Sequence, residues 1–262
     1  MKETWESRIR RAEQLAREMK GSEELLSFYA LLLRCQKDIY QRLRAFEGWL
    51  PSGELEADLP AVRSSMPGLL KIVAANGPDK LACEARDLLE APDTARDSVL
   101  IRYWRAPSDT QFFAKAIIQP YASWLREIGV KKFDRGLGSG ENRCPFCQGN
   151  PQASILQIKD SSSESGGRDL ICATCLALWP FRRIVCANCG EEDPEKIGYY
   201  HSPEYDHIRV EACDTCKYYI KAVDLTRYGL AVPLVDDVAS APLDLWARER
   251  GYTRIEMNLV GL

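Results

Sequence analysis

Eight of the ten cysteines of this sequence occur as four C-x-x-C pairs. The pairs are Cys144 and Cys147, Cys172 and Cys175, Cys186 and Cys189, and Cys213 and Cys216. Two thiolates spaced in this way on a tight turn can reach one ion together, at roughly 2.3 Å for a zinc–sulfur bond. A tetrahedral ion needs two such turns facing each other. The pattern therefore predicts that these eight residues are metal ligands.

The spacing of the pairs indicates a duplicated unit. The first pair begins 42 residues before the third, and the second begins 41 residues before the fourth. The gap between pairs is also nearly the same in both copies, 25 steps from Cys147 to Cys172 and 24 from Cys189 to Cys213. The repeat favours one four-cysteine site in each copy. An interleaved grouping of the same pairs remains an alternative.

The donor set restricts the metal without identifying it. Tetrahedral sites of four sulfurs suit zinc or iron, and backbone N–H groups directed at the sulfurs occur with both. Each unit is too small for a large core, so the ion is expected to supply much of the folding energy. The sequence has two histidines, His201 and His207, and both are expected at the surface because eight thiolates already complete two sites.

The cysteine pairs and the N-terminal residues both bear on where the protein is located. In a reducing cytoplasm, C-x-x-C pairs are more often metal ligands than disulfides. The charged N-terminal residues do not resemble a signal peptide, and no run of about eighteen apolar residues is present, so membrane insertion is not expected. A cytoplasmic location is therefore predicted. Cys35 and Cys83 occur singly in helical patterns and are interpreted as buried hydrophobic residues.

Hydrophobic periodicity predicts a helical domain over residues 1–138. The predicted helices cover residues 5–19, 22 to about 46, 60–75, 78–90, 91–103 and, opening at Ser108, a last helix to Ile128. Residues 136–140 are rich in glycine and are interpreted as a hinge. The first cysteine unit is then assigned to residues 139–183 and the second to residues 184–262.

Short strand patterns and one helix are predicted in the cysteine region. The strands cover residues 153–158, 169–171 and 207–210, and residues 161–167 form a hairpin tip between the first two. A helix is expected from Pro242 to Arg250, with Gly251 as its C-terminal cap. Several aromatic residues flank the cysteine pairs and are expected to pack around the metal sites, with a partner-binding patch as the alternative: Trp179, Phe181, Tyr199, Tyr200, Tyr218 and Tyr219.

The overall charge balance argues against two classes of function. The chain has 35 Lys and Arg against 38 Asp and Glu, which is not the basic balance of a duplex-binding domain. A zinc-ribbon protein that binds nucleic acid or acts as a regulator is kept as an alternative, and a thiol–disulfide catalyst is a weaker one. Nucleophile–base pairs, phosphate-binding glycine loops and H-E-x-x-H are not evident, so an enzyme is not expected.

Arginines near the cysteine pairs have two interpretations. They could offset the negative charge of a four-thiolate site, or they could be solvated surface charges, which is the favoured reading. The residues concerned are Arg143, Arg168, Arg182, Arg183 and Arg209.

Three stretches of the sequence resemble the family of formate dehydrogenase accessory proteins called FdhE. They are residues 112–122 in the last predicted helix of the first domain, the four cysteine pairs with their neighbours 172–179 and 209–216, and the tail from Asp236 to Tyr252. The match runs from about residue 110 to residue 255. Gln148 occupies a position after the first pair where a glycine is often found.

The resemblance implies a cytoplasmic factor that is needed to assemble active respiratory formate dehydrogenase. It implies binding to the catalytic subunit of that enzyme, a maturation chaperone role without catalysis, and rubredoxin-like iron sites. Nucleic acid is not an expected partner, and self-association into a homodimer is left open. The expected fold is α+β: an all-α N-terminal domain, two tandem rubredoxin-like or zinc-ribbon units with four cysteines each, and a C-terminal helix.

Overall fold

A computed structural model of the protein describes residues 4–107, 111–130, 141–158 and 167–261. The chain divides into two compact units, Met1–Asp134 and Arg135–Leu262. The predicted hinge at residues 136–140, the predicted boundary between residues 138 and 139 and the helix start at Ser108 lie outside the described residues. The hairpin tip predicted at residues 161–167 also lies outside them, except for Gly167, which begins a strand. The α+β fold class is confirmed, because helices dominate the first unit and strands the second.

The first unit is helical throughout its described part. Its helices are α1 (Trp5–Glu18), α2 (Glu23–Arg44), α3 (Leu55–Ser64), α4 (Met66–Asn76), α5 (Asp79–Glu90), α6 (Asp93–Arg105) and α7 (Phe112–Glu127). Helix α1 begins with a capping box, in which the Thr4 hydroxyl accepts a hydrogen bond from the Ser7 backbone and the Ser7 hydroxyl accepts one from the Thr4 backbone. None of the helices described is long and apolar enough to cross a membrane.

The single helix predicted over residues 60–75 is wrong, because the chain forms α3 and α4 with a break at Ser65. Helix α3 already begins at Leu55, since the buried carboxylate of Asp58 fixes the loop that precedes it. Asp58 accepts hydrogen bonds from the backbone N–H groups of Ser52 (3.0 Å) and Gly53 (3.2 Å). It also accepts one from the Tyr121 hydroxyl (2.6 Å), which ties α3 to α7. Pro60 thus lies inside a helix and does not open one.

Helices α2 and α7 form the centre of the first unit. The amide of Gln36 in α2 donates to the Ala116 carbonyl (3.0 Å) and to the Gln119 side chain (2.9 Å) in α7. Cys35 is buried, as predicted, and burial raises the pKa of its thiol to about 11. The same prediction is wrong for Cys83, which is exposed because α5 turns Ala82 and Ala85 inward instead.

The second unit is built on one seven-stranded sheet. Its strands are β1 (Pro151–Gln157), β2 (Gly167–Cys172), β3 (Leu178–Phe181), β4 (Ile197–His201), β5 (Ile208–Cys213), β6 (Tyr218–Asp224) and the short β7 (Thr253–Arg254). The order is β3-β2-β1-β6-β5-β4, and β7 pairs with β6. The three predicted strands correspond to β1, β2 and β5, and β3, β4, β6 and β7 were not predicted. Strands β3 and β6 each follow the second cysteine pair of their copy of the repeat.

The two copies of the repeat meet in the middle of this sheet. Each copy is an antiparallel three-stranded meander, and β1 of the first pairs in parallel with β6 of the second, with Ile155 opposite Val223. The sheet is covered by two helices, α8 (Pro233–Ala239) and α9 (Ala241–Glu249). Helix α9 was predicted, and α8 was missed. Gly251 ends α9 with a φ of +80°, and the next N–H, that of Tyr252, returns to the Ala247 carbonyl (3.1 Å).

Candidate metal centres

The structure brings the eight paired cysteines together in two clusters. The first cluster is Cys144, Cys147, Cys172 and Cys175, and the second cluster is Cys186, Cys189, Cys213 and Cys216. Within each cluster the four sulfur atoms lie within 4.8 Å of one another, so each could hold a metal ion. This is the grouping that the repeat favoured, and the interleaved alternative is not formed by the described residues.

The spacing of the sulfur atoms fits a tetrahedral ion. A tetrahedron with metal–sulfur bonds of roughly 2.3 Å has edges of about 3.8 Å. In the second cluster, Cys186 and Cys216 are 3.7 Å apart and Cys189 and Cys213 are 3.8 Å apart. In the first cluster the corresponding sulfur separations are 3.5 Å and 3.3 Å. All four distances are far longer than a disulfide bond of about 2.05 Å, so the cysteines are arranged as separate donors.

All four C-x-x-C turns have the same backbone geometry. The residue after the second cysteine of each turn has a left-handed conformation, with φ between 56° and 79°: Gln148, Leu176, Gly190 and Lys217. The N–H of each of these residues donates to the carbonyl of the first cysteine of its turn, over 2.8–3.2 Å. Three of the four have side chains, which makes this conformation cost about 1–2 kcal/mol each. Gln148 therefore makes the same turn as Gly190.

Backbone N–H groups point at sulfur atoms in both clusters. Thr174 and Cys175 donate to the Cys172 sulfur over 3.3 and 3.5 Å, and Asn188 donates to the Cys186 sulfur over 3.4 Å. Burial raises the pKa of the Cys172 and Cys175 thiols. Several thiolates without a counter-ion would be unstable in this buried environment. The four sulfur atoms are therefore suited to binding a cation that compensates for part of their charge.

Arg168 links the two copies of the repeat. Its side chain is almost fully buried and pairs with Glu211 on β5, which is buried as well. The Arg168 guanidinium also donates to the Val185 carbonyl (2.9 Å), directly before Cys186, and therefore holds the approach to the third turn. The surface reading is wrong for this arginine, because β2 places it inside the sheet. Arg209 is partly buried and pairs with the same glutamate (2.6 Å).

The other arginines near the cysteine pairs are exposed, whereas two of the flanking aromatic residues are buried. Arg143, Arg182 and Arg183 are exposed, in agreement with the surface reading. Of the aromatic residues that flank the pairs, Trp179 and Tyr219 are buried and pack as predicted. The ring N–H of Trp179 donates to the Glu141 carbonyl (2.9 Å), next to the first turn.

Neither histidine takes part in a cluster. His201 is exposed at the end of β4, as expected. His207 is only partly exposed, and its Nε2 atom lies 2.9 Å from a carboxylate oxygen of Asp236 on α8. The surface prediction is therefore wrong for His207, which joins the sheet to a helix that periodicity had missed.

A buried network of four charges fastens α8, α9 and β7 to the sheet, and sequence reasoning missed it. The Lys221 ammonium on β6 lies 2.6 Å from Asp244 and 3.2 Å from Asp237. The Arg254 guanidinium on β7 contacts the same two carboxylates, at 3.0 Å and 2.5 Å respectively. All four side chains are at most 1% exposed, and two positive charges balance two negative ones. The sequence did contain a sign of this network, because Asp237 and Asp244 lie among apolar residues in the tail, a pattern that indicates buried carboxylates.

Gly149 is expected to be essential for metal affinity at the first cluster. A methyl group at this position would lie 3.0 Å from the Cys172 sulfur, 3.0 Å from the Thr174 hydroxyl and 3.3 Å from the Cys147 sulfur. Sulfur atoms that hold an ion cannot move aside, and such overpacking costs about 1–3 kcal/mol. Gly149→Ala should therefore weaken metal binding at one of the two sites by about 10- to 100-fold.

Competition with a chromophoric chelator measures this affinity. Gly68→Ala is the control, because its new methyl group has nothing within 4 Å and lies in helix α4. Unchanged affinity at both sites in Gly149→Ala would contradict the close packing described above.

Known proteins resemble this chain in sequence and in fold. The family model described as the C-terminal domain of FdhE matches residues 184–260. The crystal structure of the FdhE protein from Pseudomonas aeruginosa superposes with a TM-score of 0.71 at 26% sequence identity, over 97% of this chain and 94% of the other. The resemblance to the FdhE family is confirmed.

Similar sequences carry the FdhE name as well. An FdhE homolog of Aquifex aeolicus is 41% identical over 151 residues, which are 58% of this chain and 52% of that protein. An FdhE homolog of Shewanella oneidensis is 24% identical over 200 residues, 76% of this chain and 62% of the relative. The alignments thus span about half to three-fifths of the length of these FdhE relatives. The stretch matched by the FdhE family model contains the second cluster and the buried charge network.

Proposed function

We propose that this protein is a cytoplasmic accessory factor for formate dehydrogenase, which binds the catalytic subunit during assembly and catalyses no reaction itself. The similarity to FdhE proteins over both units supports the role. The observation that carries the proposal is the pair of four-cysteine clusters with four equivalent turns, because four converging thiol groups can hold one ion in each cluster.

The eight cysteines are proposed as the ligands of two metal ions, iron or zinc, one in each cluster. Bound ions would offset part of the negative charge of the thiolates and lock each meander, while the chain supplies the turns, the N–H groups and the burial. The division into residues 139–183 and 184–262 is proposed as the division between the two metal units. Each unit then contains one cluster and one meander of the sheet.

The identity of the metal is tested on protein prepared without oxygen. Elemental analysis should find about two ions per chain if both clusters are filled. A visible spectrum recorded after oxidation of the same sample separates the two metals, because ferric thiolate is coloured and zinc thiolate stays colourless. Protein that folds with no bound transition metal would refute the metal part of the proposal.

The accessory role is tested by capture of the client. The tagged chain should retain the catalytic subunit of formate dehydrogenase from a cell extract, and a strain that lacks the chain should lose the activity of that enzyme. Failure to capture the subunit, together with normal enzyme activity in the deletion strain, would refute the accessory role. It would not affect the proposal that the two clusters bind metal ions.

A further inference from the structure

The two clusters differ in their access to solvent. In the first cluster each of the four cysteines is at most 3% exposed. In the second cluster Cys186 and Cys213 are buried, but Cys216 is half-buried and Cys189 is exposed. The repeat makes the comparison direct, because Cys189 occupies in the second copy the position that Cys147 occupies in the first.

The first cluster is closed by backbone and by buried side chains. The N–H of Ala173, inside the second turn, donates to the Asn150 carbonyl (3.0 Å). This hydrogen bond holds the segment after the first turn against the second turn. The Asn150 side chain is held in turn by Glu256 (3.1 Å). Gly149 leaves no room for even a methyl group beside the sulfur atoms of Cys147 and Cys172. A ligand from solvent reaches this cluster only when the segment opens.

The second cluster is more open at the equivalent places. Thr174 in the second turn is 2% exposed, whereas Thr215, its counterpart in the fourth turn, is exposed. The counterpart of Gly149 is the half-buried Glu191, so this copy has room for a long side chain, and a methyl group added at the preceding Gly190 would meet nothing within 4 Å. A side-chain contact bridges the ends of the two turns: the Thr215 hydroxyl donates to the Glu191 carboxylate (2.5 Å). We call this contact the clasp.

We propose that the second cluster is an exchangeable metal centre, entered by soft thiolate donors at Cys189, and that the first is a closed structural centre. The inference rests on the proposed function, since it presumes an ion in each cluster. An incoming thiol would lose its proton as its sulfur took the place of Cys189, and the Cys189 sulfur would leave with its electron pair and take up a proton, so that charge and protons balance. No change of oxidation state would be involved, and Cys186, Cys213 and Cys216 would hold the ion during the exchange.

The experiment uses the full chain loaded with two equivalents of zinc. An excess of a chromophoric chelator should remove the first equivalent at least about tenfold faster than the second, because a buried site must first open locally. Release of both equivalents at one rate would overturn the inference. A chain that takes up no zinc would instead refute the metal binding itself, so the two failures are distinguishable.

Matched variants assign the two phases to their clusters. The fast phase is the release of the first zinc equivalent and the slow phase that of the second. Cys189→Ser should abolish the fast phase or speed it further and leave the slow phase unchanged. Cys147→Ser should change only the slow phase. Thr215→Val removes the clasp and should speed the fast phase several-fold.

Zinc-loaded protein treated with iodoacetamide gives an independent readout by mass spectrometry. Among the eight paired cysteines Cys189 should be modified first, whereas the exposed Cys83 on α5 reacts independently of the metal. Modification of Cys147 at the same rate as Cys189 would also overturn the inference.

Discussion

Replacement of Cys172 by serine is expected to lower the metal content of the chain by about one ion and to unfold the first meander. Cys172 is completely buried, and its sulfur accepts two backbone N–H groups. Structural zinc contributes roughly 10–16 kcal/mol of apparent binding free energy in small domains. Loss of one of four ligands should remove most of that contribution. Elemental analysis and hydrogen exchange at β1 and β2 measure the two effects.

Cys83→Ser is the matched control for this substitution. Cys83 is also a free cysteine, but it is exposed on helix α5 and distant in sequence from both clusters. It should retain the full metal content and the protection of the sheet amides. If Cys172→Ser kept both ions, or if β1 and β2 stayed protected without metal, the role of the first cluster in folding would be disproved.

Asp237→Asn is expected to destabilise the second unit by about 3–5 kcal/mol, the usual cost of breaking a buried ion pair. The substitution leaves Lys221 and Arg254 with only the carboxylate of Asp244 between them. Burial alone would raise the pKa of Asp237, but Arg254 and Lys221 hold it below the ordinary value. The charged form therefore stabilises the fold at neutral pH, and the defect of the variant should shrink below roughly pH 4.

Urea unfolding of the metal-loaded chain, followed at the amides of β6, measures this loss. Asp206→Asn is the control, because Asp206 forms an exposed pair with Arg227 in the same unit. It should change stability by less than about 1 kcal/mol. The double variant of Lys221→Met with Asp237→Asn keeps the balanced pair of Asp244 and Arg254, so its loss should be smaller than the sum of the single losses. Strict additivity would contradict a coupled network.

Much of the architecture was predictable because its signals are local. The helices of the first unit follow apolar periodicity, and α1, α2, α5 and α6 lie within a few residues of their predicted bounds. The start of α3 was not predictable in this way, since the Asp58 carboxylate fixes the preceding loop through Ser52 and Gly53 and is itself held by Tyr121 from a distant helix. Periodicity does not report such a contact.

Strands were less predictable than helices. The third strand of each copy is short or mixed in polarity: β3 has four residues, and β6 alternates irregularly. The place of β6 also depends on pairing with β1, a strand far along the chain, where Ala153 lies opposite Lys221. Helix α8 was missed for a related reason. Seven consecutive residues of it are buried, two of them aspartates, so it lacks the polar face that marks an amphipathic helix.

The sequence by itself determined the eight candidate ligands and their duplication, because C-x-x-C turns are local and their spacing survives without any tertiary information. Only the tertiary structure decided that both copies share one sheet through β1 and β6, and that charged residues such as Lys221 and Asp237 lie in its core. It also decided that Cys189 is exposed while Cys147 is buried. Burial depends on what packs against a residue, and identical motifs acquire different surroundings when the chain closes over only one of them.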